Sequence, residues 1–180
     1  MLPSLEPAAI YVDKAGAEVL GQMYVFSDRK GRELCLRPEG TATCQLLARG
    51  PLARQRDVRL WYETKCWRYE QPQAGRYREF TQFGVEILNP RRDFRADLLE
   101  LGERLVRRFD PDAVVSAQVK RGLAYYNEDG FEVLSPRLGA QQQVLGGGRY
   151  RGRNRIRHRC RSACAGVPGV TGLACTSIRE

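Results

Sequence analysis

Between Arg59 and Leu88 lie two runs rich in aromatic and β-branched residues, Arg59-Leu-Trp-Tyr-Glu-Thr-Lys-Cys-Trp-Arg-Tyr-Glu70 and Arg76 to Leu88. They are separated by the turn-rich Gln71-Pro-Gln-Ala-Gly75. Such runs around a breaker predict two long antiparallel strands joined by a mobile loop. In a strand, alternate residues share a face, so Arg68 and Glu70 are expected together on the first strand. Phe80, Gln82, Gly84 and Glu86 are expected together on the second. That surface offers a guanidinium for phosphate, a ring for a base, and an amide and carboxylate for a polar ligand, with Arg76 and Arg78 on the loop to close over a polyphosphate. On spacing alone, a hairpin with solvated cross-strand pairs is an equally good reading.

The flanking segments place this hairpin in a mixed fold. Met23-Tyr-Val-Phe26 and Glu33-Leu-Cys-Leu36 bracket the polar Ser27-Asp-Arg-Lys-Gly31 and predict a second, shorter hairpin. Gly40 to Arg49 has good helix formers and stops before Pro51, and Ala96 to Phe109 spaces Leu98, Leu99, Leu101, Leu105 and Val106 along a helical face. Short apolar segments return at Val119 to Leu134 and Leu138 to Tyr150. The expected class is α+β, an antiparallel sheet flanked by helices.

Charge narrows the partner classes. The net charge is +9, and seven Arg against Glu180 after Tyr150 account for +6 of it. The body is therefore close to balanced, and the alternating arginines from Arg151 to Arg161 form an irregular tail over residues 151–180. A basic RNA-binding protein using that tail is one reading. The start, Met-Leu-Pro-Ser-Leu-Glu, has no basic region followed by an apolar one, and no apolar run approaches a membrane span, so a cytoplasmic chain with reduced thiols is expected. His158 lies in the tail and is not expected to be catalytic. Cys160 and Cys164 lack a matching second pair, and no metal site is expected.

Two further groups of residues carry chemistry. Leu36-Arg-Pro-Glu-Gly-Thr41 sets a carboxylate and a hydroxyl two residues apart at a strand-to-helix turn, where capping by Thr41 is the simpler role. Arg121-Gly-Leu-Ala-Tyr-Tyr126 joins a cation, a glycine and two phenols, equally readable as a strand edge with core aromatics.

Taken in order, these segments resemble histidyl-tRNA synthetase, a class II aminoacyl-tRNA synthetase. The resemblance spans residues 1–150. Pro3 to Glu6 is similar to the end of the first class II motif and Trp67 to Glu86 to the second. Arg121 to Tyr126 with Phe131-Glu132 is similar to the histidine signature, followed by Leu138-Gly-Ala-Gln141 and Gly146-Gly-Gly-Arg-Tyr150. The resemblance implies ATP-dependent formation of histidyl-adenylate, then transfer to tRNA(His), with Mg²⁺ beside the phosphates and a homodimeric assembly. Glu39, Thr41, Gln82 and Glu86 would hold histidine, with Tyr125 and Tyr126 closing its pocket. Arg68, Glu70, Arg76, Arg78 and Phe80 would bind ATP, and Arg68 and Arg121 would be the catalytic pair.

The chain departs from the family in several places. Ala124 stands where an Asp is usual, Asn127-Glu-Asp-Gly130 differs from the usual Thr-Gly, and only a short stretch separates Phe109 from Arg121 where an insertion domain is usual. No third motif or anticodon-binding domain is legible after Tyr150. Back-translation of Asn154 to Ala163, read one base later, permits a likeness of the third motif, so the tail is expected to be out of frame. An impaired catalytic fragment is thus the expectation. The alternative is the regulatory, synthetase-like subunit of ATP phosphoribosyltransferase, which senses histidine without charging tRNA.

Overall fold

The computed structural model describes residues 2–12, 17–72, 76–119, 130–138, 142–149 and 171–177. The expected long hairpin forms from β4 (Val58–Trp67) and β5 (Glu79–Leu88), paired antiparallel with Tyr62 opposite Gly84, Thr64 opposite Gln82 and Cys66 opposite Phe80. Period-two alternation sorts its two faces. Tyr62, Thr64 and Cys66 are buried with Phe80, Gln82, Gly84 and Glu86, while Trp61, Glu63 and Lys65 are exposed.

β4 ends at Trp67, so Arg68 and Glu70 do not alternate on one face of a strand as the sequence predicts. Two main-chain contacts to other segments explain the earlier end. The Trp67 N–H donates to Arg37 O and the Tyr69 N–H to Gln22 O at 2.7 Å, which diverts the chain toward the neighbouring turn after a last hairpin bond from the Arg68 N–H to Arg78 O.

The shorter hairpin, β2 (Val25–Ser27) and β3 (Glu33–Leu36), is also present, and β1 (Leu5–Pro7) completes a three-stranded antiparallel sheet in the order β1-β3-β2. Two short helices, α1 (Ala9–Val12) and α2 (Ala17–Gly21), lie between β1 and β2. Helix α3 (Thr41–Arg49) follows β3 directly, and α4 (Arg95–Arg107) follows β5. In α4, Asp97 in the first turn and Arg104 and Arg107 in the last complement the helix dipole, while Leu98 and Val106 are buried.

The second sheet has six strands in the order β4-β5-β9-β8-β7-β6, adding β6 (Val114–Val119), β7 (Gly130–Leu134), β8 (Gln143–Arg149) and β9 (Thr171–Ser177). Every pairing in it is antiparallel. Ile87 packs with Phe94, Leu98, Val106, Phe131, Val133 and Leu145 on the α4 side, whereas Tyr62 and Leu88 pack with Cys44 and Ala48 of α3. β5 thus turns Val85 and Ile87 to the α4 side and Leu88 to α3.

The tail is not irregular throughout: Thr171–Ser177 is a strand in the interior of this sheet. Its main chain pairs from Thr81↔Ser177 to Ile87↔Thr171 with β5, and from Leu145↔Cys175 to Arg149↔Thr171 with β8. Ladder pairing uses only main-chain groups, so a segment with a single large apolar residue, Leu173, can fill the position. Arg121, Tyr125, Tyr126, Gly139 to Gln141, Tyr150 to Val170, including His158, Cys160 and Cys164, and the final three residues lie outside the described residues.

Ending the chain at Tyr150 would open both β5 and β8 as unpaired edges in mid-sheet. Such a variant is expected to lose cooperative thermal unfolding and to aggregate, read by circular dichroism melting and size-exclusion chromatography. A sharp, parental melting transition would contradict the central placement of β9.

Candidate active site

The turn between β3 and α3 carries the first part of the site. Arg37 is 1% exposed, and its guanidinium donates to Pro3 O, to Thr64 Oγ1, and to Lys65 O at 2.7 Å from Nη2, with Glu6 as counter-ion at 3.8 Å. Glu6 in turn accepts from the Tyr11 and Thr43 hydroxyls. This buried network fixes where Pro38, Glu39 and Gly40 lie. The first N–H groups of a helix have no partner within it, and here the Glu39 carboxylate takes two of them, Thr41 N–H at 2.9 Å and Ala42 N–H at 2.8 Å. Gly40 is the N-cap residue of α3, and the side chain that caps the helix is that of Glu39 just before it. Thr41, the simpler capping candidate by sequence, uses its hydroxyl elsewhere.

That hydroxyl donates to Glu86 Oε1 at 2.8 Å. Glu86 is fully buried, and its other oxygen, Oε2, has no hydrogen-bond partner among the described residues. Burial, reinforced by the Glu39 charge and only partly offset by the Thr41 hydrogen bond, pushes the Glu86 carboxyl up to about 8. Burial also raises the Glu39 carboxyl, against the Ala42 N–H, the Arg68 charge and the Thr41 N–H, which lower it. A buried carboxyl with an orphan oxygen is a costly arrangement that a ligand donor would relieve.

Gln82 lies four residues before Glu86 on the same face of β5. Its Oε1 accepts from Gly40 N–H at 2.7 Å and from the Tyr62 hydroxyl at 3.3 Å. Sequence reasoning missed Tyr62, which is 7% exposed and whose phenol burial holds well above its usual range, aided by the Glu86 and Glu39 charges. The signal was available in the hairpin register, which sets Tyr62 directly across from Gly84. Arg37, Glu6 and Tyr11 were also unassigned, because charges this far apart in sequence disclose their partners only in three dimensions.

The arginines gather beyond the end of β4. Arg68 donates from Nε to Pro38 O at 2.9 Å, and its guanidinium lies 5.3 Å from the Phe80 ring centroid. Arg76 Nη1 pairs with Glu70 Oε2 at 2.6 Å, Arg78 donates to Glu70 O at 3.1 Å, and the Arg78 guanidinium sits 4.2 Å over the Tyr69 ring. Arg68, Glu70, Arg76, Arg78 and Phe80 thus come together, and Glu39, Thr41, Gln82 and Glu86 form a second group on the same face. Phe80 is itself 7% exposed, so it offers little open ring face for stacking. No group of three or more His, Cys, Asp or Glu able to hold a metal occurs among the described residues. No described helix is long and apolar enough to cross a membrane.

The raised Glu86 carboxyl sets a pH dependence. Between the ordinary glutamate value of 4.5 and about 8 the unfolded chain loses a proton that the folded chain keeps, so this group's contribution to stability is full below 4.5 and is lost as pH rises through about 8. Glu86→Gln is expected to gain stability relative to the parent across that window, on the order of a few kcal/mol at its upper end. Thermal melts of both proteins from acid to mildly basic pH check it. Parallel stability curves would show that Glu86 ionises normally.

The family model for histidyl-tRNA synthetase matches residues 1–101 of this chain. The histidine–tRNA ligase of Pyrobaculum calidifontis is 35% identical over 157 residues, covering 80% of this chain and 37% of that protein. The chain spans well under half the length of the curated relatives it matches. Its fold is similar to apo histidyl-tRNA synthetase from S. aureus, with a TM-score of 0.68 at 22% identity over 98% of this chain and 57% of that one. An ATP phosphoribosyltransferase regulatory subunit/histidyl-tRNA synthetase from Bacillus halodurans C gives a TM-score of 0.69 at 17% identity, over 97% of this chain and 71% of that one. With more than half its length matched by the family model, beginning at the turn network and running through both arms of the site, this chain belongs to the histidyl-tRNA synthetase family.

Proposed function

We propose that this chain is a catalytic-core piece that binds histidine and ATP and forms histidyl-adenylate, for transfer to tRNA(His), with activity below that of a complete synthetase. The observation that carries the reading is the buried Glu86 carboxyl with its orphan oxygen, set on the same strand face as Gln82 and the Phe80–Arg68 pair. Residues two apart on a strand are roughly 7 Å apart, so a ligand of amino-acid size held near Glu86 and Gln82 reaches toward the arginines at Phe80.

In this reading Glu86 and Gln82 hold the polar groups of histidine, and Thr41 orients Glu86. Glu39 acts chiefly through the α3 cap that places Thr41. Arg68 takes the α-phosphate, and Arg76 and Arg78 exchange Glu70 for the outer phosphates. The histidine carboxylate attacks the α-phosphorus, a new O–P bond forms, and pyrophosphate leaves. Positive charge held in place stabilises the charge that develops there, so no protein nucleophile is needed. Arg121 at the reacting carboxylate and Tyr125 and Tyr126 over the pocket complete the proposal. When bound, Mg²⁺ would neutralise the phosphates. A homodimer in the cytoplasm is the proposed setting.

Histidine-dependent ATP–pyrophosphate exchange tests the reading. Weak exchange is expected from the chain, falling at least about a hundredfold in Arg68→Ala and in Arg121→Ala. Robust charging of tRNA would remove the claim of impairment, and histidine binding with no exchange at all would favour the histidine-sensing, regulatory alternative.

A further inference from the structure

The Tyr62 ring occupies a slot between two glycines. A Cβ at Gly40 would lie 2.5 Å from the ring, and one at Gly84 would lie closer still. No side chain larger than hydrogen fits at either position while the ring stays, so the slot holds the phenol in one place. From there its oxygen stands 3.3 Å from Gln82 Oε1 and 3.4 Å from Thr41 Oγ1.

Donor and acceptor chemistry then fixes the direction of each bond. The Gly40 N–H can only donate, so the amide atom facing it must be the oxygen of Gln82 and not its NH₂. That oxygen carries no proton, so the Tyr62 hydroxyl must donate to it as well. The raised phenol of Tyr62 keeps its proton for this purpose throughout the ordinary pH range. With the amide rotated, its NH₂ would meet the Gly40 N–H head on, and the Tyr62 hydroxyl would lose its acceptor. The NH₂ is therefore the part of Gln82 left over for a ligand, and no acceptor for it occurs among the described residues.

We propose that Tyr62 is a specificity-determining positioning residue: by holding the Gln82 amide oxygen it makes the site present an N–H donor beside the Glu86 carboxyl, selecting an amino-acid ligand with a hydrogen-bond acceptor at that point. The inference rests on the histidine-binding reading above and deepens it. Tyr62 itself need not touch the ligand. It acts through Gln82, and its 3.4 Å approach to Thr41 Oγ1 sets the first turn of α3 against the same strand without a second donated proton.

Isothermal titration of histidine into the full chain, Tyr62→Phe, Gln82→Ala and the double variant tests this. Phe fills the same slot, so Tyr62→Phe is expected to melt within a few degrees of the parent while its histidine affinity falls about tenfold, the effect of one lost neutral hydrogen bond. In the Gln82→Ala background the same substitution is expected to change affinity by less than about twofold, because the group it acts through is gone. Gly84→Ala, which displaces the ring and leaves the hydroxyl intact, is expected to weaken histidine at least as much as Tyr62→Phe. ATP affinity is expected to stay at the parental value in Tyr62→Phe. Parental histidine affinity in Tyr62→Phe, or an undiminished tenfold loss in the Gln82→Ala background, overturns the proposal and leaves histidine binding standing. No histidine binding by the parent chain overturns both.

Discussion

The Arg37 guanidinium is the contact on which the rest of the site depends. It reaches the segment before β1 at Pro3, the middle of β4 at Thr64 and Lys65, and the Glu6 carboxylate on β1, while its own main chain leads from β3 into the turn before α3. One side chain thus joins the three-stranded sheet to the six-stranded one. Burying a charge is tolerable only when its hydrogen-bonding capacity is met and a counter-charge is near. Those requirements leave Arg37 few geometries, and Glu39, Gly40 and Thr41 inherit that restriction because they follow it within four residues.

The buried carboxyls are organised by the same logic with different outcomes. Glu6 has Arg37 and two hydroxyl donors, and Glu39 has two helix N–H groups at the positive end of the α3 dipole. Glu86 has one hydroxyl and an oxygen with nothing opposite it among the described residues. A well-satisfied group stabilises the fold, whereas the unsatisfied oxygen of Glu86 is where the proposed ligand would donate. The contrast among three buried glutamates separates scaffold from site more sharply than their charge does.

At the far end of the face the arrangement is looser. Glu70 gathers Arg76 and, through its carbonyl, Arg78, at positions partly open to solvent, where an ion pair contributes little stability. Such pairs exchange readily for a stronger anion. A phosphate presents more acceptors than one carboxylate, so the same arginines suit both the unliganded contact and a polyphosphate.

Much of the fold was legible in the residues themselves. The two hairpins, α3 and α4 followed from period-two and helical spacing, from breakers such as Pro51, and from the alternation that put Phe80, Gln82, Gly84 and Glu86 on one face. β6 and β9 were not legible, because Val114–Val119 and Thr171–Ser177 take their place from main-chain pairing with neighbours distant in sequence or only weakly patterned. Residue types and order along the chain determined, by themselves, the α+β class and most of the polar groups of the candidate site. Which glutamate caps a helix, which keeps an orphan oxygen, and why Tyr62 needs Gly40 and Gly84 were decided only by tertiary structure. Hydrogen-bond satisfaction and steric room depend on atoms brought together from distant parts of the sequence, and no local pattern records them.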